Sequence, residues 1–109
     1  MLVRMYDEVE PVAGQGAKNT TVRWLISEKE GAPNFAMRLF EIGEEGHTPL
    51  HKHAWEHEIF VLDGEGVAVS QDGERGVCSG SVVFVPGNER HQFRNTGSKP
   101  LRMLCMVPQ

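Results

Sequence analysis

Four of the five histidines fall in two short clusters whose spacing suits one metal ion. The first runs His51-Lys52-His53-Ala54-Trp55-Glu56-His57 and closes at Asp63-Gly64. The second runs from Gly80 through Pro86-Gly87-Asn88 to His91, with Asn95 four residues further on. Neutral imidazole is a leading ligand for divalent zinc, copper, iron and nickel, so the pattern points to a metal centre. Such an ion can polarise a bound oxygen, acidify bound water or, as iron or copper, engage dioxygen.

The elements that must position these rings read as strands. Side chains two apart on a strand share a face, so His51 and His53 point the same way. His57 opens the next apolar run, and Ile59 and Val61 continue its face as a pocket floor. Bends at Gly64, Gly66 and Gly80 return the chain and bring His91 across from the first three, with Phe93 on its face as a wall. Apolar runs at 21–26, 35–42, 59–62, 66–70, 81–85, 92–94 and 101–107 alternate with turn clusters rich in Gly, Asn, Asp and Pro. Short, regularly punctuated strands are the mark of an all-β sandwich or barrel. No segment offers a convincing helix. Residues 1–20 read as an arm, with one strand at Leu2 to Met5, and 21–107 as the barrel.

The 109 residues make one domain, large enough for a single core. A net charge of -4 with no basic run argues against nucleic-acid binding. No apolar stretch approaches the roughly 20 residues a spanning helix needs. Acidic residues Asp7 and Glu8 stand where a secretory signal would be apolar, and Cys78 and Cys105 have no metal-type pairing. A cytoplasmic protein with two reduced thiols is the expectation.

The two clusters together resemble the cupin family. Its first motif is His-x-His, three or four residues, a glutamate or alternative ligand, six residues, then Gly. Here His51, His53, His57 and Gly64 fit it, with His57 in the usual glutamate place. Its second motif is matched by Gly80, Pro86, His91 and Asn95, with Asn88 replacing a glycine. The resemblance implies a double-stranded β-helix (jelly-roll) cupin barrel, usually a homodimer, holding manganese, iron, nickel, copper or zinc. It further implies a four-histidine site of the small single-domain (cupin_2) kind. Glu58 is the alternative to His57, but alternation puts it on the opposite face. Four neutral ligands leave the ion's charge uncompensated, which favours an anionic small-molecule ligand.

Arg38, in an apolar strand, could bind a substrate carboxylate, although a snorkelling or interface role is the plainer expectation. The pocket candidates are Arg38, Ile59, Val61 and Phe93. His47 reads as a solvated loop residue, and Trp55 as packed on a neighbouring strand rather than at the entrance. Phe60 and Leu62 make the fourth strand apolar on both faces, which suggests a second sheet or a partner subunit. Two function classes follow: a metalloenzyme such as a dioxygenase, decarboxylase or isomerase, or a metabolite-binding or sensing barrel. The catalytic residues and the substrate are not readable.

Overall fold

The computed structural model describes residues 1–109. Nine strands carry the fold: β1 (Val12–Ala13), β2 (Lys18–Ile26), β3 (Phe35–His47), β4 (His57–Asp63) and β5 (Glu65–Ser70). They continue with β6 (Gly73–Cys78), β7 (Val82–Val85), β8 (His91–Asn95) and β9 (Leu101–Pro108). All pairings are antiparallel, in the order β6-β5-β8-β3-β9-β4-β7, with β2 on β3 and β1 on β2. The architecture is the all-β jelly-roll barrel expected from the motifs.

β3 is the joint of this curled sheet. Its first eight residues, Phe35–Ile42, pair with β9, while its last residue, His47, faces Arg94 of β8. Between the two, Glu45 takes a left-handed φ of 60°, breaking the register. The concave faces then meet in one core. Along β9, Leu101, Met103, Cys105 and Val107 are buried and alternate with partly exposed residues. On β4 the inward set is His57, Ile59 and Val61, and on β8 it is His91, Phe93 and Asn95. Burial of each large apolar side chain contributes about 1.5–3 kcal/mol, so the floor beneath the histidines is also the most strongly held part of the molecule.

Several sequence expectations need correction. Leu2–Met5 is not a strand: it is an extended arm leading into a 3-10 turn at Tyr6–Glu8, where the Met5 amide donates to the Glu8 carboxylate at 2.6 Å. The pairing strand of the arm is β1, and β2 begins at Lys18. A second 3-10 turn spans Glu28–Glu30. The glycines of 43–46 signal a turn after the 35–42 run, but this stretch continues β3, and Gly73–Cys78, outside the apolar runs, forms β6. His47 is not a solvated loop residue: it is half-buried, its Nδ1 lying 3.0 Å from the Thr48 carbonyl oxygen and 3.4 Å from Gln92 Nε2. No second sheet covers Phe60 and Leu62. They are 43% and 36% exposed, beside Val82 and Phe84 at 78% and 58%, so this outer face of β4 and β7 is an open apolar surface.

Candidate metal centre

Backbone pairing brings the first and last histidines together. His51 and His91 form an isolated bridge in which each amide donates to the other's carbonyl, at 3.2 and 2.9 Å. His53 is held by the second motif: the Asn88 amide donates to its carbonyl at 2.6 Å. Asn88 sits at φ 67°, a left-handed position that asparagine tolerates, which accounts for its replacing a glycine. Gly87 beside it has no such freedom, because a Cβ there would overlap the Ala54 carbonyl oxygen. Asn95 holds the end of β8, donating to the Ile42 and Lys99 carbonyls at 2.9 and 2.8 Å and accepting from the Gly97 amide at 2.8 Å.

His51, His53 and His91 each offer one ring nitrogen, and these atoms lie within 4.8 Å of one another. Metal–nitrogen bonds of about 2.0–2.1 Å require ligand atoms on one ion to lie within about 4.2 Å, so a small inward turn of the rings suffices. The donor chemistry also fits. His53 Nδ1–H donates to the Trp55 carbonyl and His91 Nδ1–H to the Glu89 carbonyl, both at 2.9 Å. Each bond fixes a tautomer that puts the lone pair on Nε2, the atom a metal would take. Burial, then the neighbouring histidines, lowers the His51 pKa. Burial also lowers that of His91, against the opposing Glu89 contact. Both rings therefore favour the neutral, ligating form.

His57 stands one step deeper. It is buried, its ring centroid lies 4.6 Å from that of His53, and its Nε2 is 2.8 Å from His53 Nε2. Its Nδ1 lies 3.1 Å from Cys105 Sγ and 3.2 Å from Arg38 Nη2. Burial, followed by the Arg38 guanidinium and the other imidazoles, pushes its pKa down to about 3. It falls outside the three-histidine group. Glu58 lies exposed on the opposite face of β4, paired with Phe84 and Met106 and turned away from the histidines.

The rings open on a cavity of about 570 Å³. Arg38, Ile59 and Phe93 line it; Val61 does not, a correction that follows from depth. Two residues along β4 carry it about 6.6 Å below Ile59, where it pairs with Met103 and is fully buried. Arg38 neither snorkels nor faces outward. It pairs with Trp24 and Cys105 on the inner face, and its guanidinium lies over the Trp24 and Phe40 rings at 5.2 and 4.8 Å. Trp55 does not pack on a neighbouring strand but stacks on His53 at 4.2 Å and stands half-exposed in the cavity wall. Sequence reasoning missed Trp24, Cys105 and the Val12–Gln15 edge of the cavity. The shared inner face of Met103 and Cys105, two residues apart on β9, was the available signal for the thiol.

Comparison with known proteins agrees with the fold. Residues 38–107 match the cupin domain model of the Cupin_2 family, and the chain belongs to this family. An oxalate-binding protein of Thermotoga maritima is 37% identical over 97 residues, covering 85% of this chain and 79% of that one. The 1-methylthio-D-xylulose 5-phosphate methylsulfurylase of Rhodospirillum rubrum is 37% identical over 71 residues, 65% of this chain. The match takes in only 46% of the methylsulfurylase's length. Among solved structures, the polyketide cyclase RemF of Streptomyces resistomycificus superposes with a TM-score of 0.90. Its sequence is 37% identical, and the match covers 99% of this chain and 80% of the cyclase.

Proposed function

We propose that this protein is a metal-dependent cupin that acts on a small anionic or enolisable organic molecule, with dioxygenase-like chemistry. His51, His53 and His91 hold one divalent manganese, iron, nickel, copper or zinc ion, and His57 completes the set through Nε2. The observation that carries the reading is a cluster of imidazoles opening on a largely apolar cavity lined by no carboxylate. When bound, the metal supplies Lewis acidity and, as iron or copper, redox chemistry toward dioxygen. The chain's own residues do the rest. Ile59, Phe93 and Met103 exclude water, Trp55 and the Glu89 carbonyl fix the ring orientations, and uncharged ligands leave the ion attractive to an anion. Relatives named for work on small organic molecules, a methylsulfurylase and a polyketide cyclase, support the enzyme reading.

The same cavity supports a second reading, a metabolite-binding barrel without catalysis. It draws on the absence of any cavity-lining carboxylate that could serve as general base, and on similarity to an oxalate-binding protein. Elemental analysis of the purified protein, followed by oxygen uptake with a panel of small organic acids, diketones and thiols, separates the two. Uptake only with iron or copper loaded supports the oxygenase. Silence across the panel with a metabolite retained supports the binding module. We also propose a cytoplasmic homodimer built on the open face of Phe60, Leu62, Val82 and Phe84. A monomeric mass by light scattering at micromolar concentration would remove the homodimer.

A further inference from the structure

Arg38 is the only permanently charged residue in the cavity lining, and no aspartate or glutamate lines the cavity with it. The chain's ion pairs use Arg4, Arg23, Arg94 and Arg102, so Arg38 has no carboxylate partner. Its only protein hydrogen bonds run from Nη2, to His57 Nδ1 at 3.2 Å and Cys105 Sγ at 3.1 Å. Its Nε is buried with no partner. Arginines withdrawn from water are normally paired, because an uncompensated charge is costly there. A guanidinium held on two aromatic faces, with donors to spare, is a positive pole without its counter-ion.

We propose that Arg38 anchors the acidic group of the ligand, and that this ligand is an aromatic or extended conjugated acid. Three features set the class. The cavity of about 570 Å³ suits a body far larger than a two-carbon diacid. Its walls include Trp24, Phe40, Trp55 and Phe93, flat surfaces on which an unsaturated ring system packs. The whole width of the His57 ring separates Arg38 from His53, since one edge of that ring meets the guanidinium and the other meets His53. A molecule answering both poles therefore carries its acid group several bonds away from its metal-binding oxygen. The proposal deepens the metal-site reading and rests on it only for this second pole.

The test is calorimetric titration of 6-hydroxy-2-naphthoate, with 2-naphthol as the neutral comparator and oxalate as the short diacid, into zinc-loaded and metal-free protein. The parent protein should bind the naphthoate about tenfold or more tightly than 2-naphthol, the scale of a charge-assisted bond, and tighter than oxalate. Arg38→Met should erase the preference, with the naphthoate falling about tenfold and 2-naphthol moving less than about twofold. Arg38→Lys, which keeps the charge, should recover part of it, and its circular dichroism and melting curve serve as the folding check. Equal binding of the naphthoate by the parent and Arg38→Met overturns the anchor. So does a parent that does not prefer the naphthoate, or that binds neither compound. If metal-free protein keeps an Arg38-dependent preference while no metal binds, the anchor stands and the metal reading falls. Zinc bound at the histidines with no such preference removes the anchor and leaves the metal centre standing.

Discussion

Nη2 of Arg38 lies 3.2 Å from Nδ1 of His57, and this contact governs which nitrogen of that ring carries the hydrogen. A guanidinium only donates, so the contact requires a lone pair on Nδ1 and puts the hydrogen on Nε2, which then donates to His53 Nε2 at 2.8 Å. Metal ligation by His57 Nε2 requires the opposite tautomer, with Nδ1–H turned to Cys105 Sγ. Arg38 therefore competes with the metal for His57. Arg38→Met should tighten zinc binding, by up to about tenfold, because it removes both that constraint and a neighbouring positive charge. Competition titration with a chromophoric chelator checks this; unchanged or weaker zinc binding contradicts it.

Removing a ligand should empty the site without unfolding the barrel. His53→Ala and His91→Ala are each expected to lose most of the metal, since the core beneath is built from other side chains. Full metal content in both variants, measured by elemental analysis, would defeat the ligand assignment. His57→Glu should keep the metal and weaken oxalate binding, because a carboxylate ligand cancels one unit of the ion's charge. Equal or tighter binding of oxalate counts against the charge argument.

The stability of metal-free protein should fall on acidification from pH 7. The sign follows from the histidines: the His51, His57 and His91 pKa values are lowered on folding, in each case chiefly by burial. The unfolded chain therefore takes up protons near the ordinary 6.5, which the folded chain refuses until lower pH, about 3 for His57. Acid in that window favours the unfolded state. Melting temperature should drop between pH 7 and 5, and metal should flatten the profile until acid displaces it. A melting temperature independent of pH across this range in metal-free protein would count against buried, neutral imidazoles.

Gly87→Ala should damage both fold and site. The new methyl would strike the Ala54 carbonyl, and the displaced loop carries Asn88, whose amide holds the His53 backbone. A loss of about 1–3 kcal/mol in chemical denaturation is expected, together with weaker zinc affinity. Parent-like affinity in a destabilised variant would separate the loop from the site.

Where side-chain alternation and motif spacing coincide, the fold was legible in the sequence. β4 is the clearest case, because its inner row of His57, Ile59 and Val61 and outer row of Glu58, Phe60 and Leu62 are both visible by eye. β6 was not, because Gly73-Glu74-Arg75-Gly76 has no apolar rhythm and becomes a strand only by pairing with β5. The extension of β3 to His47 was hidden for a similar reason: its glycines signal a turn, and only the pairings of His47 with β2 and β8 show that the chain runs on. Within the site, spacing pointed to the histidines and alternation to Phe93. The orientation of Arg38 depends on its cross-strand neighbours Trp24 and Cys105, which no local pattern reveals.

The chain has two tryptophans, and both stand in the cavity wall, Trp24 under the Arg38 guanidinium and Trp55 stacked on His53. Its ultraviolet emission is therefore a built-in gauge of occupancy, with no label to attach and no distant indole to dilute the signal. A paramagnetic ion at the histidines should dim Trp55 first, and an aromatic guest should shift both bands.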